Sequence, residues 1–221
     1  MISVAIDGPA GAGKSTVSRQ VAKRLGYIYV DTGALYRAVG IKFSSLGFDT
    51  EVKGDIEAVL KNTTVDIRFQ DGEQHVFLDG EDVNDRIRTP EASMMASAVS
   101  AKPPVRAFLL EMQRKLAREH NVLMDGRDIG TVVLPQATVK IFLTASPETR
   151  AKRRAKELEE KGTPVPFDEV LADIIKRDHN DMNRPIAPLK QAEDAVLADT
   201  SSCTFEESVE LVLSIIRERL G

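Results

Sequence analysis

Short apolar runs and helical repeats succeed one another along the chain in the order strand, loop, helix. Ile2 to Ile6 is a β-compatible run that stops at Asp7-Gly8, and from Lys14 to Leu25 the apolar residues Val17, Val21 and Leu25 recur at helical spacing. A second short strand is predicted over Tyr27 to Val30, followed by Asp31-Thr32-Gly33 and a helical stretch from Ala34 towards Phe43. Between Thr63 and Ile87 the pattern changes. Val65-Asp66-Ile67-Arg68-Phe69 alternates, Asp71-Gly72 is a hairpin signal, and Val76-Phe77-Leu78 leads to another turn at Asp79-Gly80. The stretch predicts a small antiparallel insert.

Helical spacing returns from about Pro104 to Glu119, after which Val122-Leu123-Met124-Asp125 and Val139-Lys140-Ile141-Phe142-Leu143 read as buried parallel strands whose carboxyl ends border a site. A charged helix is predicted from about Pro147 to Glu160. Gly162-Thr163-Pro164-Val165-Pro166 interrupts it before a second helix from Asp168 to about Asp181, an arrangement suited to a movable lid. Ala195-Val196-Leu197 supplies a last strand. Thr204-Phe205-Glu206-Glu207 is a capping box for a helix carrying Val209, Val212, Leu213, Ile216 and Leu220. No repeat or long linker divides the chain, so the pattern predicts one α/β domain with the insert inside it.

Composition narrows the function classes. In a chain of 221 residues, 42% apolar and 29% charged, one hydrophobic core is expected rather than disorder or fibre formation. The single cysteine, Cys203, permits no intrachain disulfide and reads as a packing residue. No apolar run approaches the roughly 20 residues of a membrane span, and the first residues carry no basic segment followed by an apolar signal core. A cytoplasmic protein without a membrane partner is expected. The net charge of −4 argues against a nucleic-acid polymer as partner, so phosphate recognition must come from placed residues.

Gly8-Pro9-Ala10-Gly11-Ala12-Gly13-Lys14-Ser15 satisfies GxxxxGK[ST] between a predicted strand and a predicted helix. Glycines let such a loop curl so that backbone N–H groups face phosphate oxygens, and the helix N-terminus favours anions. The segment Gly8 to Thr16 is thus the candidate ATP site, with Lys14 on the β- and γ-phosphates and the Ser15 hydroxyl on Mg²⁺. The alternative is a ligand-free glycine turn. Asp125, at the end of an apolar strand, is a candidate for holding the metal or its waters, or else a turn aspartate before Gly126. Asp7 precedes the loop and is a candidate to brace it by accepting backbone hydrogen bonds, its role being left open.

Phosphoryl transfer asks mainly for positioning and positive charge, which planar, permanently protonated arginine provides. Arg37 follows Asp31-Thr32-Gly33, Arg127 follows Asp125-Gly126, and Arg106 starts the central helix. Arg150, Arg153 and Arg154 share one side of the charged helix, where their guanidinium groups are expected to converge on one anion, faced by Arg177 and Arg184 from the second helix. The many acidic residues between positions 150 and 184 leave a plain salt-bridged helix pair as the competing reading. No general base is evident. None is needed when the nucleophile is an ionised phosphate oxygen. His75, His120 and His179 are scattered, without partners at metal-ligand spacing, and are expected on the surface.

Four segments taken together, Ile6-Asp7-Gly8-Pro9-Ala10-Gly11-Ala12-Gly13-Lys14-Ser15, Asp31-Thr32-Gly33-Ala34-Leu35-Tyr36-Arg37, Asp125-Gly126-Arg127-Asp128-Ile129-Gly130-Thr131 and Arg177-Asp178-His179-Asn180-Asp181-Met182-Asn183-Arg184, resemble the bacterial cytidylate kinases. The likeness runs essentially end to end, and the insert resembles the extension that marks the bacterial enzymes. It implies ATP-dependent phosphorylation of CMP and dCMP on a three-layer P-loop NTPase fold with a five-stranded parallel sheet, a β-rich insert and a helical lid. The core would be 1–37, 104–147 and 185–221, the acceptor region 38–103 and the lid 148–184.

By position, the resemblance implies Arg37, Arg127 and Arg184 on the acceptor phosphate, Arg177 and Asp181 on its ribose, and Ser97, Arg106 and Asp128 on cytosine. Thr32 lies beside the acceptor, and Arg153 and Arg154 close on the ATP phosphates. Lys14, Arg127, Arg153, Arg154 and Arg184 would then carry catalysis, with Mg²⁺ held by Ser15 and Asp125, partly through water, in a monomer. Many related nucleotide kinases carry glycine where this chain has Ser15. Competing readings are a kinase for AMP, UMP or shikimate, a nucleotide-hydrolysing switch, and a binding-only regulator. The absence of an NKxD string and the wealth of arginines speak against a switch.

Overall fold

A computed structural model describes residues 1–70 and 72–221. Five parallel strands form its main sheet: β1 (Ser3–Asp7), β2 (Ile28–Asp31), β6 (Val122–Gly126), β7 (Val139–Thr144) and β8 (Val196–Asp199), in the order β2-β6-β1-β7-β8. Their apolar runs reflect burial on both faces, as parallel sheets require. Alternate residues of one strand serve opposite faces. Val4, Ile6 and Leu123 pack under α1 (Lys14–Leu25) and α8 (Phe205–Leu220), whereas Ala5, Val122 and Met124 pack on the other side with Ile129 and Val133.

The expected insert is a separate antiparallel sheet of β3 (Val65–Gln70), β4 (Glu73–Leu78) and β5 (Glu81–Asp82). Asp71 of the predicted turn lies outside the described residues, while Gly72 has φ +78°. A second apolar core joins this sheet to α2 (Thr32–Ser45), α4 (Pro90–Ser100) and α5 (Pro103–Glu119) through Leu35, Phe43, Val76, Met95 and Leu109. The helix pair α6 (Pro147–Glu160) and α7 (Phe167–Asn183) has only a small core of its own, Ala151, Val170 and Ile174. No helix among the described residues is long and apolar enough to cross a membrane.

Local chemistry sets the boundaries. The Asp31 carboxylate accepts the Ala34 N–H as N-cap, so α2 starts at Thr32 rather than Ala34. Gly26 ends α1 at φ +68° behind Lys23 and Arg24. The predicted capping box at Thr204 and Glu207 is formed. Elements not foreseen include α3 (Ile56–Lys61), α4, a 3-10 turn over Arg86–Arg88 and a π-helical turn over Ile129–Val133.

Helix α4 is pressed onto α2 at Gly40, where an added Cβ would lie 2.9 Å from Met95 Cβ and 3.1 Å from the Ala96 nitrogen. Gly40→Ala therefore sets a helix-propensity gain of up to about 1 kcal/mol against an overpacking cost of about 1–3 kcal/mol. The expected outcome in urea unfolding is a net loss of roughly 1 kcal/mol. Unchanged or raised stability would show that the two helices separate without cost.

Candidate active site

The phosphate-binding motif occupies the turn from β1 into α1. A side chain at Gly8 is impossible, because its Cβ would sit 1.9 Å from the Leu143 carbonyl oxygen. Gly11 and Gly13, at φ +75° and +82°, curl the chain. Gly13 is the N-cap of α1 and provides no side-chain cap, which leaves the first N–H groups of the helix available to an anion. Pro9, Ala10 and Ala12 are buried within the loop, and Thr16 is exposed on the first turn. Lys14 is buried, and its ammonium donates to the Pro9 carbonyl at 2.7 Å. Burial, reinforced by the nearby Arg127 charge, pushes its pKa down to about 7 against the pull of Asp125, Asp181 and Asp7.

Asp125 is the hub beside this loop. Ser15 Oγ and Tyr29 Oη donate to its carboxylate at 2.8 and 3.1 Å, and Thr32 Oγ1 donates to its backbone carbonyl at 2.8 Å. Burial and the charge of Asp31, its register partner on β2, push the Asp125 pKa up to about 6, against Lys14 and the two hydroxyl donors. One carboxylate and one hydroxyl do not make a closed metal cage, and no cluster of three His, Cys, Asp or Glu ligands occurs among the described residues. This donor set fits a hard cation that keeps waters and takes substrate phosphate oxygens, as Mg²⁺ does.

Arg37, Arg106, Arg127 and Arg184 each meet a carboxylate. Arg37 pairs with Asp31 at 2.7 Å. The Gln74 side chain from the insert clasps the Asp31 backbone, accepting its N–H at 2.8 Å and donating to its carbonyl at 3.3 Å. Arg127 donates to Asp181 at 2.8 Å. Asp128, 4% exposed, lies between Arg106 and Arg184, bonded to the first and 3.2 Å from the second. Burial raises the Asp128 pKa, opposed by Arg106, Arg184 and Arg127 in that order. Arg106 also donates to the Ser100 carbonyl and lies over the Tyr36 ring, whose hydroxyl burial pushes up to about 12. Ser97 and Arg177 are exposed on α4 and α7; the Ser97 carbonyl accepts the Ser100 hydroxyl, and Ser100 in turn accepts from Arg106 and Arg184.

The expected convergence of Arg150, Arg153 and Arg154 is not what this structure contains. Arg150, 3% exposed, donates to the carbonyls of Ala145 and Ala10 at 2.8 and 2.9 Å and holds Asp178 of α7 with two bonds of 3.0 and 2.5 Å. It braces the loop from beneath. Arg153 reaches the Thr200 and Cys203 carbonyls at 2.6 and 3.3 Å, and Arg154 pairs with Glu157 at 2.8 Å. The Arg150–Asp178 and Arg154–Glu157 pairs follow the competing reading of a salt-bridged helix pair, Glu157 lying three residues from Arg154 on the same helix, whereas the acceptors of Arg150 at Ala10 and of Arg153 at Thr200 are remote in sequence. Arg184 likewise turns from the lid helix to Asp128. Tyr29, Asp31, Gln74 and Ser100 were not anticipated; Tyr29 is signalled only by its inward position on β2. His75 pairs with Asp82 at 2.9 Å, while His120 and His179 are exposed.

Comparison with known proteins agrees with this architecture. A family model described as cytidylate kinase matches residues 4–218. The chain is 53% identical to a cytidylate kinase of Caldicellulosiruptor bescii, across 97% of this chain and 95% of that protein. It is 47% identical to one from Lactobacillus johnsonii, across 99% and 95%. Among solved structures, an uncharacterized protein from Eubacterium ventriosum superposes with a TM-score of 0.55 at 12% identity, covering 98% of this chain and 99% of that one. A gluconokinase from Sinorhizobium meliloti gives 0.50 at 15% identity, covering 98% and 92%. These two likenesses concern the fold alone. The sequence relatives go further, and the chain belongs to the cytidylate kinase family.

Proposed function

We propose that this chain transfers the γ-phosphoryl group of ATP to CMP and dCMP, giving ADP and CDP or dCDP, as a cytoplasmic monomer. One observation carries the reading: Arg106 and Arg184, from remote segments, pair with the buried Asp128 beside the phosphate loop, with the adjacent Arg127 guanidinium close by. A nucleotide-hydrolysing switch has no use for such a constellation. A monophosphate acceptor does.

ATP would lie along Gly8 to Thr16, with backbone N–H groups and Lys14 on its phosphates. Ser15 and Asp125 would hold Mg²⁺, which neutralises charge on the β- and γ-oxygens. Arg37, Arg127 and Arg184 receive the acceptor phosphate, and Arg177 and Asp181 the ribose. Arg153 and Arg154 reach the ATP phosphates once α6 and α7 close over the site as a lid, excluding water and limiting hydrolysis. Thr32 lies beside the acceptor, and its phosphate oxygen attacks already ionised, so no general base is required. Cytosine presents an N4 amino donor beside the N3 and O2 acceptors, matching the Asp128 carboxylate and the Ser97 hydroxyl on the N4 side and the Arg106 guanidinium on the acceptor side. Uracil would turn its O4 towards Asp128.

With ATP and a panel of acceptors, kcat/KM for CMP and dCMP should exceed that for UMP and AMP by about tenfold or more. Equal rates with AMP or UMP refute the acceptor assignment. Lys14→Met should lower kcat on the order of 10²- to 10³-fold, because its charge acts on the migrating phosphoryl group; near-normal turnover would show the cradle is misread. Asp128→Asn, whose amide offers donors as well as an acceptor, should narrow the CMP over UMP ratio by roughly tenfold. An unaltered ratio would remove Asp128 from base reading.

A further inference from the structure

The loop that carries Arg127 and Asp128 leaves the sheet at Gly126, where the pairing of β6 with β1 ends opposite Asp7. Beyond that point no strand neighbour holds it. The next regular structure is the π-helical turn Ile129–Val133, whose first N–H groups have no carbonyl of their own turn to bond. Asp7 supplies the acceptors. Its two carboxylate oxygens accept the Ile129 and Gly130 N–H groups, each at 2.7 Å. The fit is close: a Cβ on Gly130 would lie 3.3 Å from Asp7 Oδ2 and 3.1 Å from Lys140 Cδ.

Asp7 is also the residue covalently joined to Gly8, the first residue of the phosphate loop. It is 4% exposed, and burial raises its pKa to about 6, partly offset by these two N–H groups. A buried carboxylate is a costly way to terminate a strand, and two charge-assisted bonds to one turn are what it provides in return. Arg127 and Asp128 thereby sit between two fixed points, the Gly126 register and the Asp7 clamp.

We infer that Asp7 is a positioning residue that locks the Arg127–Asp128 segment to the phosphate loop and so sets acceptor recognition. The inference rests on the proposed assignment of those two residues to the acceptor. Asn at this position preserves volume but keeps a single oxygen, so one of the two N–H groups would face an amide donor. Misplacement of recognition groups by about 1 Å is enough to change acceptor use.

The experiment is steady-state kinetics of wild type and Asp7→Asn with ATP, CMP and UMP, alongside thermal unfolding and amide hydrogen exchange. In the wild type the Ile129 and Gly130 amides should exchange slowly although no sheet ladder protects them. In Asp7→Asn the KM for CMP should rise about tenfold and the CMP over UMP ratio should fall, with the KM for ATP within about twofold of wild type. Asp7→Ser, with one hydroxyl acceptor, serves if the Asn variant does not fold. The inference fails if the two amides exchange rapidly in the wild type, if KM for CMP and the ratio are unmoved, if both KM values rise together, or if neither variant folds. A wild type with no preference for CMP would instead overturn the proposed function, and is read before any variant.

Discussion

The removal of charge from water at the carboxyl ends of β1 and β6 governs this site. Asp7, Lys14, Asp125 and Asp128 are all buried there, each less than a tenth exposed. Burial raises the pKa of the three carboxyl groups and lowers that of the ammonium, so every one of these groups is disfavoured in its charged form. Lys14 and Asp125 only partly relieve each other. An anion delivered onto Lys14 and a cation delivered onto Asp125 would be stabilised in a low-dielectric setting, with donors already oriented by Gly8, Gly11 and Gly13.

The same principle applies to the ion pairs around the hub. Replacing buried ion pairs with packed apolar residues is often neutral or stabilising, so Arg106–Asp128–Arg184 and Arg150–Asp178 are poor devices for stability alone. They differ in what their geometry can do. Arg150 spends its donors on two backbone carbonyls and a bidentate aspartate, all within the protein, and braces the loop. Arg106, lying over the half-buried Tyr36 ring, and Arg184 crowd one carboxylate, leaving a cluster with both hydrogen-bond donors and acceptors in a small space.

Legibility in the sequence followed the range of the interactions. The strands were readable because burial on both faces writes continuous apolar runs such as Val122 to Met124. The phosphate loop was readable because its geometry depends on glycines within a few residues of one another. Helix α4 was not: its inward face is Ala92, Met95 and Val99, and what holds it is Gly40, some fifty residues away. Helical spacing placed Arg150 with Arg153 and Arg154. Of the acceptors that separate them, Glu157, three residues from Arg154, was open to local reading, while Ala10 and Thr200 lie in loops far away in sequence. The pairing of Arg106 and Arg184 on Asp128 was likewise invisible to local pattern, although resemblance to the family had placed all three residues at the acceptor.

The division of the apolar cores separates rigid from displaceable parts. The sheet with α1 and α8, and the insert with α2, α4 and α5, each rest on an extended set of buried large side chains, so moving any one helix exposes much apolar area. The α6–α7 pair instead buries Ala151, Val170 and Ile174 chiefly within itself. Its ties to the body are largely polar: Arg150 to Ala10 and Ala145, Arg153 to Thr200, Asp181 to Arg127. Each is a bond from a charged guanidinium and contributes about 1.5–3 kcal/mol net, the upper end applying to the buried Arg150. The pair thus adds little shared apolar area to the body, and its attachment rests on placed donors and acceptors rather than on a common core.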